Sequence, residues 1–569
     1  MRENHIVFKN LNQYHLKIFN NIFKSNILKF NKLIDKVASY HKNDLQWLSQ
    51  TILSRNNYLS NIYYDYCYLE VLKKNFQKEL INVVYVNSAK EKKLIEINFS
   101  DKFNLKFVLK KKNNLRNHRT YRIFQNLYLN IKTSLYFFLN KSNQRKKIFL
   151  KKKKITLIEN FLNKEIFDNK IYNDRFYGNF LSYLNKKEKE KVFFLFQSSN
   201  ILKIKKHISI LNKYNLNYIT IFDFLNFFDY LFAIINSFKK KKFDTKRIVL
   251  NNINLEYLFN DLYQKTFNDI NSFSSNLQFL FFKNLKKKTD DSKFYRIIDW
   301  YENQSTDKGF NFGLNKFFPK TQSIGYQPFA VDFDFYSHLI STKTERTNNI
   351  TPNKIALMGQ KIKIYLSKKF KLPSKKIILA PSLRYKSIFD KKKLIYKIKK
   401  TKYILLALPI SYQDSSDILR VVQNYLKKFK KNNYKFFINF HPMLDIKKLR
   451  NNYKFIDKNI EIIQGSFNEI QSRFDCIISN SSSICFEALA LSKPVLVVQN
   501  SKGITQNPIS MVKKDTWEFI KNENDLQKAF IRLLIKKKKQ SFINNSKFIK
   551  KKYFFEINRK NIIKFLGLS

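Results

Sequence analysis

The sequence predicts an α/β chain of two lobes, each a doubly wound parallel sheet. Asp475 to Val498 reads as a buried strand (Cys476 to Ile478), a polar turn (Ser479 to Ser483), a short helix (Ile484 to Leu491) and a second buried strand (Val495 to Val498). Apolar, strand-like runs separated by helical spans recur between residues 354 and 498. A similar alternation lies earlier: Val192 to Phe196, a helix from Ile201 to Tyr214, then Tyr218 to Phe222. Strands alternating with helices argue for parallel sheets covered on both faces.

The length of 569 residues leaves room for two such cores and additions. A net charge of +65 invites a nucleic-acid reading. Lys, Asn, Ile and Phe are all abundant while Gly and Ala are scarce, however, which is the mark of a codon bias that places lysines on solvated faces. No nucleic-acid fingerprint accompanies the charge, so no specific nucleic-acid partner is expected. What remains is a surface that adheres to anionic membranes or polymers. Cys67, Cys476 and Cys485 each sit in apolar context and read as reduced core thiols of a cytoplasmic protein. The seven histidines lack metal-ligand spacing, so neither a metal nor another cofactor is expected. The opening MRENHIVFKNLNQYH has no signal-peptide core, and no run approaches the roughly 20 apolar residues that span a bilayer. These features place the chain in the cytoplasm, at most peripheral to the inner face of the membrane. Seven of the eight glycines lie beyond residue 300, none spaced as G-x-G-x-x-G or as a P-loop, which disfavours classical dinucleotide binding and P-loop chemistry.

Taken in order, residues 1 to about 44 are helical and polar, and Asp44 to Phe76 carries apolar residues at helical spacing. Ser54, Arg55 and Asn56 between these runs either cap a helix or line a cleft. Leu80 to Val86 is expected to open the first lobe. From about 110 to 191 lysine runs interleave with aromatics, the pattern of a helical insertion that either lies in a membrane interface or stays loosely ordered. The aromatic stretch from Phe222 ending in Lys239 to Lys242 is a second membrane candidate, with a packed helix as its alternative. Residues 250 to 292 read as helical. Phe294 to Gln304 ends in Trp-Tyr-Glu-Asn-Gln and is followed by SIGYQP, a strand end with a glycine turn. Val331 to Pro352 reads as an interdomain linker. The expected division is therefore 1–352, 353–540 and a basic helical tail, 541–569.

Ligands in such lobes bind beyond the carboxyl ends of the strands. There the second lobe presents Pro381 to Tyr385, Leu408 to Ser411, Phe440-His441-Pro442, Gly465-Ser466 and Ser479 to Ser483. Arg384, His441 and a serine-rich helix start at one sheet edge suit a phosphate or diphosphate, although Ser482 or Ser483 also reads as a plain N-cap. His441 would donate a proton to the departing group, and Glu487, one turn into the helix, would accept from ribose hydroxyls. Glu302, flanked by Gln304 and the nearby Gln327, is the carboxylate placed to act as a general base.

Two α/β lobes with HP after one strand and SNSSSICFEALALSKPVLV after another resemble glycosyltransferases of the GT-B fold, two Rossmann-like lobes facing a cleft. The closest likeness is to bacterial surface carbohydrate proteins of capsule and O-antigen synthesis, on WLSQTILSRN, YENQ with IGYQP, PSLRY, FHP and the serine motif, spanning roughly residues 44 to 500. The HP and serine motifs are shared with bacterial sialyltransferases, Kdo transferases and glycerophosphotransferases. The resemblance implies metal-independent transfer from a nucleotide-sugar donor to a glycan or lipid-linked acceptor. It also implies donor binding by His441, Pro442, Ser481, Ser482 and Ser483, with Arg384 and Tyr385 of PSLRY nearby. Pro328 stands where many relatives have histidine, and Ser492-Lys493 replaces the small glycine before Pro-Val. The acidic motif of the sialyltransferases is not evident. A sugar-nucleotide epimerase of the same fold and a non-catalytic scaffold of glycan assembly are the rival readings; the absence of a glycine pair beside the serines counts against the epimerase.

Overall fold

The computed structural model describes the chain apart from residues 1–4, 77–82, 108–118, 163–171, 199–202, 215, 245, 390–400, 430–432, 455–459, 537–538 and 569. An N-terminal layer comes first. β1 (His5–Val7), β2 (Val83–Val86) and β3 (Asn104–Phe107) form a parallel sheet with β2 at its centre. The helices Gln13–Ala38 and Ile62–Phe76 bury Phe19, Phe23, Tyr66 and Leu69 in one cluster with Trp47, Phe259 and Phe335. The strand expected to open the first lobe is thus corrected: it pairs within this layer instead. Its apolar alternation specifies that it is covered, and says nothing about which strand lies beside it.

The first lobe is a parallel sheet in the order β12-β11-β10-β9-β4-β5-β6. Its strands are β4 (Ile155–Leu162), β5 (Val192–Ser198) and β6 (Tyr218–Ile219), followed, after the separate hairpin of β7 (Val249–Leu250) and β8 (Ile253–Asn254), by β9 (Phe294–Trp300), β10 (Ser323–Gln327), β11 (Lys354–Leu357) and β12 (Ile377–Leu379). The side-chain period of two is visible directly. Ile158, Phe194 and Ile298 face one core, while Leu157, Phe193, Leu195 and Ile297 face the other.

Four sequence expectations change here. β11 and β12, expected to begin the second lobe at residue 353, pair with β10 and complete the first sheet. The segment 110–191 is not wholly an insertion, because β4 within it is a central strand. Gly325 lies inside β10 rather than in a turn; a Cβ there would meet Tyr301 Cβ at 2.8 Å and Pro352 Cγ at 2.6 Å. The stretch read as a linker, 331–352, is packed: Phe333, Phe335, Ser337, His338 and Glu345 are all buried.

That packed stretch joins the N-terminal layer to the first lobe through a buried charge network. Glu345 Oε2 lies 2.9 Å from Arg55 Nη2 and also accepts from Thr342 N (2.7 Å) and Asn303 Nδ2 (3.1 Å). Its Oε1 lies 3.3 Å from Lys308 Nζ, which also donates to Leu48 O at 3.1 Å. Burial alone would raise the Glu345 pKa, but Arg55 and Lys308 more than offset it and hold it at about 2. Arg55 is therefore a structural ion-pair partner.

The second lobe is a parallel sheet in the order β15-β14-β13-β16-β17-β18. It comprises β13 (Lys402–Leu408), β14 (Tyr434–Phe440), β15 (Glu461–Ile462), β16 (Cys476–Ser479), β17 (Val495–Val498) and β18 (Trp517–Ile520), the last not foreseen from the sequence. Leu405, Ile477, Val495 and Val497 face a core continuous with the first lobe, while Leu406, Ile478, Leu496 and Val498 face a separate one. The tail is not a free appendage. Helices Lys539–Tyr553 and Arg559–Leu566 cross back to the first sheet, where Thr156 Oγ1 donates to Leu566 O at 2.7 Å and Arg296 Nη1 to Lys564 O at 2.7 Å.

Candidate functional site

The serine turn follows β16, whose last residue is anchored by Ser479 Oγ donating to Ala407 O at 2.7 Å. Each serine beyond it has a different partner. Ser481 Oγ donates to Asp414 Oδ2 (3.1 Å), and Ser482 Oγ accepts from Ile484 N (3.3 Å). Ser483 Oγ accepts from Arg384 Nη2 at 3.1 Å. Arg384 follows β12, so this bond spans the carboxyl ends of both sheets. One turn on, buried Glu487 is pushed up to about 7 by burial, tempered by the guanidinium groups of Arg384 and Arg175. Cys485, between them, is pushed up to about 12 by burial and is no nucleophile at neutral pH.

His441 follows β14 and is fixed by its backbone, its N–H donating to Leu408 O at 3.1 Å. Its Nδ1 accepts from Met443 N at 3.2 Å, which places the proton of the neutral ring on Nε2. Pro442 is exposed in the turn beside it.

On the first-lobe side, Glu302 is half-buried just past β9. It accepts from Trp300 Nε1 (3.2 Å) and Gln304 Nε2 (2.6 Å). Burial raises its pKa, and those two hydrogen bonds moderate the rise. Trp300 leads back to the serine turn: its ring lies 3.8 Å from that of Phe176, and Arg384 lies 5.5 Å over Phe176. Arg384, Ser483 and Glu487 therefore form one cluster, and Glu302 with Gln304 joins it through two aromatic rings. Gln327 and Tyr385 sit deeper. Gln327 Nε2 donates to Leu339 O (2.7 Å), and the Tyr385 ring packs edge-on against Phe554.

Sequence reasoning missed Asp414, Asn500 and Arg175. Asp414 accepts from Ser481 and, at 2.7 Å, from Asn500 Nδ2, and burial raises its pKa. Its only signal is Ser411-x-x-Asp414, which marks a helix start; Ser411 Oγ does accept from Asp414 N at 3.2 Å.

An acidic cluster supports the Glu302 loop. Asp307 Oδ2 accepts from Glu302 N (2.9 Å) and Gln304 N (3.0 Å). Glu159 accepts from Gln197 Nε2 (2.6 Å) and Trp300 N (3.2 Å), and Asn311 Nδ2 donates to Asp299 at 2.6 Å. Burial lifts Glu159 to about 7, with Asp307 adding to the rise and Asp299 opposing it. A carboxyl whose folded pKa exceeds its unfolded value favours folding most at low pH, and that contribution is lost as pH climbs through about 7. Glu159→Gln is accordingly expected to flatten the decline in stability between pH 4.5 and about 7, measured as urea midpoints. An unchanged slope in the variant would mean that the decline arises elsewhere.

Among the described residues no group of acidic, histidine or cysteine side chains could hold a metal ion. Nor is any described helix long and apolar enough to cross a membrane.

No protein-family model and no curated protein matches the chain. Solved structures similar in outline include MnaA of S. aureus with UDP, at 13% identity and a TM-score of 0.43, covering 73% of this chain and 98% of that one. Another is the UDP-GlcNAc 2-epimerase of Neisseria meningitidis bound to UDP-GlcNAc, at 14% identity and a TM-score of 0.40, covering 73% and 100%. A third is the lipopolysaccharide outer core galactosyltransferase WaaB, at 12% identity and a TM-score of 0.41, covering 73% and 99%. Likeness of this order transfers no residue role, and the two-lobed α/β fold stands on the sheets described above. The finer resemblance to sialyltransferases and Kdo transferases rests on the His-Pro and serine motifs alone.

Proposed function

We propose that the chain is a GT-B-type glycosyltransferase, moving a sugar from a nucleotide-activated donor to a surface-glycan acceptor. The observation that carries this reading is the Arg384–Ser483 contact beside buried Glu487, where a cation, hydroxyls and a carboxylate meet at the carboxyl ends of two facing sheets. In the proposed reaction the bond from the anomeric carbon to the phosphate oxygen breaks as a bond to an acceptor hydroxyl forms. Arg384 and the serine turn stabilise the negative charge that develops on the departing diphosphate. His441 Nε2–H donates to a phosphate oxygen, Glu487 accepts from ribose hydroxyls, and Glu302 takes the acceptor proton. Burial raises its pKa above the ordinary carboxylate value, which makes it a stronger base.

The test is thermal stabilisation by CMP, CDP, UDP, GDP and their sugars. A nucleotide a hundredfold above its Kd adds about 2.7 kcal/mol of stability. One nucleotide is expected to shift the melt selectively, with Arg384→Ala and His441→Ala each weakening its binding about tenfold or more. A folded protein that no nucleotide stabilises would favour the scaffold reading. Interconversion of the donor sugar without any acceptor would instead identify an epimerase.

A further inference from the structure

The helix Arg119–Leu139 turns both polar and apolar residues inward, Phe137 stacking on Phe222 and Ile123 packing on the N-terminal core. Asn130 and Thr133 are buried, and Asn126 Nδ2 donates to Asn268 Oδ1 at 3.1 Å. The outward face carries Tyr121, Phe124, Tyr128, Ile131, Leu135 and Phe138, all exposed and alternately three and four residues apart, which makes one continuous apolar stripe. Phe124 is 69% exposed. The helix Phe227–Phe238 packs against it and adds Phe228, 75% exposed, with Phe232 and Ile235 also outward. Its one acid, Asp229, is turned inward, accepting from Asn284 Nδ2 at 2.7 Å. Monomeric proteins rarely leave so much contiguous apolar surface facing water.

The chain on either side of the stripe is strongly basic. No aspartate or glutamate occurs between Asp101 and Glu159, the next helix leads into Lys151 to Lys154, and Lys239 to Lys242 close the helix Phe227–Phe238. Lys132 Nζ lies 5.4 Å from the Tyr128 ring, at the border of the stripe. Aromatics on one face with lysines at its rim match the headgroup layer of an anionic bilayer, where rings sit at the interface and ammonium groups meet phosphate.

We propose that these two helices form a docking face for the surface of an anionic lipid bilayer, lying in the plane of the interface. The surface stands whether or not the chain transfers a sugar. The full-length protein is expected to co-sediment with phosphatidylglycerol-containing vesicles and to retain part of that binding at high salt, where exposed charge is screened. The triple variant Phe124→Ser, Ile131→Ser, Phe228→Ser keeps the net charge and changes only exposed side chains. It is expected to bind at least about tenfold more weakly and to lose the salt-resistant part. Phe124→Trp supplies a second readout, a blue shift of emission on adding the same vesicles, against native Trp47, Trp300 and Trp517 that are already buried. Wild-type binding by the triple variant would assign adhesion to charge alone and overturn the proposal. So would a Phe124→Trp emission that the vesicles leave unmoved. A wild-type dimer that the triple variant dissociates would overturn it too, assigning the stripe to a second copy of the chain.

Discussion

Replacing Glu345 with alanine is expected to lower stability by about 3–5 kcal/mol, because two buried cations lose the carboxylate that they share. Arg55 and Lys308 come from different parts of the fold, and Glu345 lies in a third, so the loss loosens the seam between the N-terminal layer and the first lobe. Lys308 is already held below its usual pKa by burial, with Glu345 as its chief support. The variant is therefore expected to hold Lys308 still further below its usual pKa and to gain stability as pH rises. In the wild type the sign is opposite: Glu345, held near 2, contributes stability that is complete above its unfolded pKa and lost as pH falls through about 2. Urea unfolding of wild type and variant across pH measures both effects. The apolar triple replacement Arg55→Met, Lys308→Met, Glu345→Leu is expected to recover most of the loss. A single variant within about 0.5 kcal/mol of wild type would show the network to be dispensable.

Gly309→Ala is the second large effect. The helices Ile270–Lys286 and Ser305–Phe317 cross so closely that a Cβ at Gly309 would stand 2.1 Å from Ser275 O, and one at Gly313 would lie 3.1 Å from Phe279 Cα. The obstacle at Gly309 is backbone, which cannot rotate away as a side chain does. One methyl group is expected to cost about 3 kcal/mol or more by forcing the helices apart. The helix Ser305–Phe317 begins directly after Gln304, and its Asp307 holds the Glu302 and Gln304 amides, so the displacement moves the Glu302 carboxylate too. Gly503→Ala is the matched control, since its Cβ would meet nothing nearer than 3.6 Å. A Gly309→Ala melting temperature equal to that of the Gly503 control would refute the close crossing.

The local elements were legible wherever the chain writes its partner into its own periodicity. β13, β16 and β17 announce themselves as apolar runs between turns, and the helix Tyr412–Lys428 starts at its serine cap. Pairing was not legible. β2, β11 and β12 are as strand-like as the rest, but which sheet receives them depends on residues far away in the chain. Residues 331–352 look polar because Asp332, Ser337 and Glu345 are matched by distant hydrogen-bond and ion-pair partners, and such matching leaves no local trace. The site divides in the same way. Arg384, the serines and His441 could be nominated because strand ends carry ligands, and the structure joins Arg384 to Ser483, whereas Asp414 and Arg175 are single residues whose partners only the fold supplies.

The return of residues 539–566 to the first sheet has a consequence for the order in which the molecule can be made. Gly359 sits where a Cβ would come within 2.1 Å of Tyr553 O, and Ser382 exchanges backbone and side-chain hydrogen bonds with Phe555. The first lobe thus borrows one wall from chain that is synthesised after every strand of the second. While the ribosome is still translating, Thr156 and Arg296 lack the carbonyls that they later bind, and Ile562 and Phe565 are not yet there to cover the apolar ends of the first sheet. The second lobe waits on the same helices, since Phe542 enters its core and Tyr553 OH donates to Met511 O at 2.9 Å, so neither lobe is finished until the last chain arrives.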